Sequence, residues 1–145
     1  MWNAYNRQPI YLKAGDSTAS WQPTTTLAPA NANTANSLTV FTGLAEEPFD
    51  LKFFEKASIA ANNSTITLQN AIGWNSTTAG SGLAGAFEVS TGGAVTNIAT
   101  VPSEYLAPPN LGINTVTALE QRPAGGSVTV SGTEASMILS AQWRG

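Results

Sequence analysis

Between Ala57 and Ser103 the chain carries a single ionised side chain, Glu88. A soluble monomer scatters ions over its surface, which keeps its copies apart. So long a neutral span does not fit wholly inside the core of a 145-residue chain, and part of it is expected to face other protein. Interface cores are depleted in charge, and homo-oligomer contacts are more apolar than ordinary surface. A closed assembly would also cover strand edges that otherwise pair at random.

The pattern within and beyond this span is that of strands. Ser64-Thr65-Ile66-Thr67-Leu68-Gln69 alternates, with Ile66 and Leu68 on one face. Ala86 to Ser90 and Ser127 to Ser131 alternate in the same way. Gly112 to Glu120 puts Asn114, Val116 and Ala118 on one face. Ser37 to Thr42 and Met137 to Trp143 also read as strands. Gly73, Gly80-Ser81-Gly82, Thr91-Gly92-Gly93, Ala107-Pro108-Pro109-Asn110, Pro123-Ala124-Gly125-Gly126 and Ser131-Gly132-Thr133 mark turns between them. Short strands at this spacing predict an all-β, antiparallel sandwich or barrel over 37–145. The segment Glu46 to Lys56 interleaves charge with Phe49, Leu51, Phe53 and Phe54. It reads as a strand with a buried aromatic face or as one short helix, and its charges predict a solvated edge.

Residues 1–36 differ in texture. They are polar and irregular, strand-like only at Pro9 to Lys13 and Ser20 to Gln22, yet they hold Trp2, Tyr5, Tyr11 and Trp21. Two readings are open: an ordinary first strand with a loose loop, or an extended arm whose aromatics dock on a neighbouring chain. The C-terminal strand around Trp143 is expected to be tied down in a sheet or at a subunit contact.

Composition excludes several classes. Charged residues are 10% of the chain, against about 25% in an average soluble protein. Six basic and nine acidic residues give a net charge of -3, which argues against a nucleic-acid partner. With no Cys there is no disulfide or thiol chemistry, and with no His the commonest general base and metal ligand are missing. Glu46 and Glu47 lack a third ligand, so no metal is expected. Gly80-Ser81-Gly82-Leu83-Ala84-Gly85 has the spacing of a dinucleotide loop but no acid about 20 residues on to hold a ribose. Asp50, Glu88, Glu104, Glu120 and Glu134 could furnish a glycosidase pair, but nothing favours one. The expectation is a chain with no catalytic site, no cofactor and no membrane span; no stretch reaches 18 apolar residues, and the N-terminus lacks the apolar core of a signal peptide. Trp74 beside Asn75-Ser76-Thr77-Thr78 reads either as a corner of the core or as a sugar platform. Arg122 reads as a solvated turn charge or as a partner anchor.

Tyr105-Leu106-Ala107-Pro108-Pro109-Asn110-Leu111-Gly112 through Glu120, then Gly125 to Gly132 and the terminal strand, resembles small virion proteins of tailed bacteriophages. The aromatic N-terminal segment and the Ala/Thr/Ser/Asn-rich, His-free composition are similar too. The resemblance implies a jelly-roll-like β-sandwich with an extended N-terminal arm. It also implies a homotrimer acting as a capsid decoration (cement) protein, made in the host cytoplasm and seated on the major capsid protein at the outer surface of the head. On that reading Trp2, Tyr5, Tyr11 and Trp21 bind the capsid, while Ile66, Leu68 and Trp143 lie between subunits. Aromatics of this kind carry most of an interface's energy. The alternative is a receptor- or glycan-binding module of a tail or head fibre, resting on Trp74 and its neighbours.

Overall fold

Alternation decides the architecture, and it is clearest from Phe49 to Asn62. Phe49, Leu51, Phe53, Glu55, Ala57, Ile59 and Ala61 are all buried, and the residues between them are half-buried or exposed. A strand can bury every second side chain only if another layer covers that face. The computed structural model describes residues 8–43, 47–62, 64–90, 92–108, 110–123, 127–132 and 136–144. Trp2, Tyr5, Glu46 and Glu134 lie outside these.

The described residues form one antiparallel sheet with no α-helix. Its strands are β1 (Pro9–Ala14), β2 (Ser20–Trp21), β3 (Ala28–Pro29), β4 (Ser37–Thr42), β5 (Phe49–Asn62), β6 (Thr65–Trp74), β7 (Ser81–Ser90), β8 (Ala94–Ala107), β9 (Gly112–Gln121), β10 (Ser127–Ser131) and β11 (Met137–Arg144). A 3-10 turn, Ala30–Ala32, follows β3. β5 pairs with β8 from Phe49↔Ala107 to Asn62↔Ala94. β11 and β10 share its other edge, end to end, and carry β1 and β2 in turn. β6 lies between β7 and β9, and β9 carries β3 and β4. β7 meets β8 at Leu83↔Glu104, so the two halves are one curled sheet with β5 and β8 folded over β6.

The core lies inside the curl. Phe49, Leu51, Phe53, Ile59, Ile66, Leu68, Ile72, Met137 and Leu139 are wholly buried. Each such side chain contributes about 1.5–3 kcal/mol relative to exposure. Ile66 and Leu68, expected between subunits, therefore belong to this core; on β6 the even positions point inward and leave no surface for another chain.

Two further expectations change. The charged segment lies inside the sheet and not at its edge, since β5 pairs with β8 on one side and with β10 and β11 on the other; Asp50, Lys52 and Lys56 take its outward face, where Lys52 Nζ lies 3.5 Å from Asp50. β8 has no clear mark in the sequence. Pro102 interrupts its sequence pattern, yet Val101, Ser103 and Ala107 alternate inward around it. The segment from 8 to 36 contributes three strands to the sheet, so its described residues run along the sheet's edges. Gly82 and Gly85, at the spacing of a dinucleotide loop, instead sit within β7. A side chain at Gly85 would strike the Pro102 carbonyl and Asn70 Oδ1.

Candidate functional site

The inward face of β5 breaks its apolar series once, at Glu55, which is fully buried. The inward face of β9 runs Asn114, Val116, Ala118 and then Glu120, which is 1% exposed. β6 contributes Asn70 from the same phase as Ile66 and Leu68, and Asn70 is the register partner of Glu120. The curl brings these three side chains together. Burial raises the Glu55 pKa well above the ordinary value of 4.5, and the neighbouring Glu120 charge adds to that. Burial also raises Glu120, against hydrogen bonds that favour its charged form.

Those bonds come from the N-terminal segment. Trp21 Nε1 donates to Glu120 Oε1 at 2.6 Å, and the Asn31 backbone N–H donates to the same oxygen at 2.9 Å. Asn31 has a left-handed backbone (φ 56°), which asparagine tolerates better than most residues. Gly132 leaves room for the Trp21 ring, since a side chain there would strike it. Beside this cluster lies a third acid, Asp16, which accepts hydrogen bonds from the Thr18 N–H (2.8 Å), Asn31 Nδ2 (3.1 Å) and Asn36 Nδ2 (2.7 Å). Burial works against its ionisation. The bonds from Asn36, Thr18 and Asn31 outweigh it and hold Asp16 well below the usual carboxylate range.

The placement of the aromatics follows. Trp21 is buried and its polar atom is engaged inside the chain, so its expected role as a capsid anchor gives way to a structural one. Tyr11 stands on β1 and is 59% exposed. Trp143 is half-buried against Phe49, with ring centroids 5.1 Å apart, and Trp74 lies 5.3 Å from the same ring. Trp74 is thus a corner of the core and no open platform. The loop after it lines an open cleft of about 470 Å³ with Asn75, Ser76, Thr77, Thr78, Thr115 and Thr117. Arg122 is half-buried, and its backbone N–H donates to the Thr24 carbonyl at 2.7 Å.

Two carboxyls facing one another are the arrangement used for acid–base work. Here neither meets solvent, so no substrate reaches them without opening the sheet. Among the described residues no group of three or more Asp, Glu, His or Cys is placed to hold a metal.

The outer surface is divided. On β3, β4, β6, β7 and β9 the sole exposed charge is Glu88, whereas β5 and β8 present Asp50, Lys52, Lys56 and Glu104. The neutral side carries Phe41 and Ile113, cross-strand partners that are 74% and 73% exposed, with Leu111 beside them at 68%. The chain matches no protein-family model and no curated protein.

Proposed function

We propose that this chain is a structural protein of a virus particle: a decoration protein of a tailed-phage head. In this reading it is a jelly-roll-like β-sandwich with an extended N-terminal arm. It acts as a homotrimer, bridging units of the major capsid protein from outside. The observation that carries the proposal is the neutral face of β4 and β9, with Phe41, Leu111 and Ile113 standing in solvent. Isolated apolar side chains on a surface are ordinary; a cross-strand pair on an almost chargeless face marks a contact. A decoration protein needs no chemistry, since its effect grows with the area it covers and the number of joints it spans. Trp2 and Tyr5 ahead of β1, with exposed Tyr11 on it, are the remaining aromatic anchors.

Light scattering tests the assembly. Three 15.0 kDa chains per particle are expected, and a lone 15.0 kDa species at high concentration overturns it. Sedimentation with purified heads tests the partner, and removal of residues 1–7 is expected to weaken that binding. A second reading has one observation behind it: the hydroxyl- and amide-lined cleft at Asn75–Thr78 suits a glycan receptor module of a fibre. Binding on a glycan array, with no binding to heads, would favour it.

A further inference from the structure

The polar atoms at the centre of the sheet do not balance. Both oxygens of Glu55, Oε2 of Glu120 and Oδ1 of Asn70 are buried and find no donor. Asn70 Nδ2 gives one of its two N–H groups to the Val101 carbonyl at 2.7 Å, which leaves its second as the one donor beside Glu55, and the donors of Trp21 and Asn31 are taken by Glu120 Oε1. What remains is four orphaned acceptor atoms and a single amide N–H to serve them. Buried polar atoms in that state cost the full penalty of desolvation, and two carboxylates add repulsion. One proton eases both faults. On Glu55 it turns an acceptor into a donor for Glu120 Oε2, and it leaves one negative charge where the indole and the Asn31 N–H already point.

We propose that Glu55 is a proton-gated latch: protonated, it seats Glu120 to hold Trp21 and Asn31, and on losing its proton it releases the segment from Asp16 to Asn36 from the sheet. The latch is confined to this site. Among the described residues the titratable groups facing Glu55 are Glu120 on β9 and, through Glu120, Asp16. The facing residues of β6 and β11, Asn70 and Met137, bring none, and neither do β2 and β10. Tyr105 on β8 lies two inward positions beyond Val101, the partner of Glu55. The charges of β5, β7 and β8 at Asp50, Lys52, Lys56, Glu88 and Glu104 lie on outward positions. The segment it would free is joined to the body by short contacts: two residues of β2 on β10, two of β3 on β9, the hydrogen bonds to Glu120, and backbone bonds from Ala118 to Asn36, Arg122 to Thr24 and Gly132 to Ala19, whereas the bonds to Asp16 lie within the segment itself. The consequence is an element that stays closed while Glu55 keeps its proton and opens as pH rises through the Glu55 transition.

The test uses the whole chain. Carbon-13 NMR of the glutamate carboxyls across a pH series is expected to find Glu55 titrating well above the ordinary carboxylate range; titration of every glutamate within that range overturns the proposal. The Trp21 indole N–H and Asn31 amide signals are then followed as pH rises. Both are expected to be lost with the Glu55 transition, while the amides of β5 and β8 keep their protection. Glu55→Gln supplies a fixed donor, so this variant is expected to retain both signals through the same range. Coincident profiles for parent and Glu55→Gln, or simultaneous loss of the β5 amides in the parent, overturn the latch. Because the carboxyl titration is read on the parent chain, a variant that fails to fold does not remove the test.

Discussion

Replacing Trp21 by Phe isolates the bond that ties the N-terminal segment to the core. The ring that remains is apolar and nearly fills the site, so the principal loss is the N–H that donates to Glu120 Oε1 at 2.6 Å. Hydrogen bonds to charged groups contribute about 1.5–3 kcal/mol, and the small void left beside Gly132 adds a little more, so a cost of about 2–3 kcal/mol is expected. In a chain of this size that lowers the melting temperature by about 10 °C. Urea unfolding followed by far-ultraviolet circular dichroism reads the free energy without relying on tryptophan emission. A cycle with Glu120→Gln apportions it: the carboxylate is the partner, so the two changes together are expected to cost less than their sum by about 1–2 kcal/mol. A Trp21→Phe chain within about 0.5 kcal/mol of the parent would refute the assignment, because exposed substitutions fall in that range.

Leu68→Ala is expected to cost about 2–5 kcal/mol, as for other core truncations, whatever the protein concentration; a loss that vanished on dilution would return Leu68 to a subunit contact. Gly85→Ala forces a methyl group against the Pro102 carbonyl and Asn70 Oδ1, and a cost of about 3 kcal/mol is expected in the same urea assay, with parent-like stability refuting it. Asp16 has a depressed folded-state pKa, so its contribution is present above the ordinary value of 3.8 and is lost as pH falls below it. Asp16→Asn is therefore expected to lower stability at neutral pH and to flatten the acid limb; an unchanged limb would show that other groups set it.

Much of the fold can be read in the residues. β4, β10 and β11 announce themselves by alternation, and β9 by the phase of Asn114, Val116 and Ala118. Glu120 continues that phase, as Glu55 continues that of Phe49, Leu51 and Phe53, so both buried acids carry a signal. It is easily passed over, because Asp50, Lys52 and Lys56 surround Glu55 and a charged run resembles a solvated edge. β8 hides behind Pro102, a residue that argues against a strand. The junction of Trp21 with Glu120 has no local mark at all. It spans 99 residues of sequence and exists only because β2 reaches the core by way of β10.

That junction bears on why an acid pair persists in a core otherwise built of Leu, Ile and Phe. Burying ionisable groups gives less stability than well-packed apolar ones. The short strands β2 and β3 are too brief to fix their own register by alternation, and a slip by one residue would turn Trp21 outward. Glu120 removes that freedom, because one oxygen must meet both the Trp21 indole and the Asn31 amide. Glu55 then sets the pH at which the arrangement holds. Its folded-state pKa is raised, so its contribution is complete below the ordinary value of 4.5 and declines as pH rises through the folded value, opposite in sign to that of Asp16. The two acids thus bound the closed state from opposite sides of the pH scale. Apolar packing alone, which has no proton to lose, would leave the segment without that dependence.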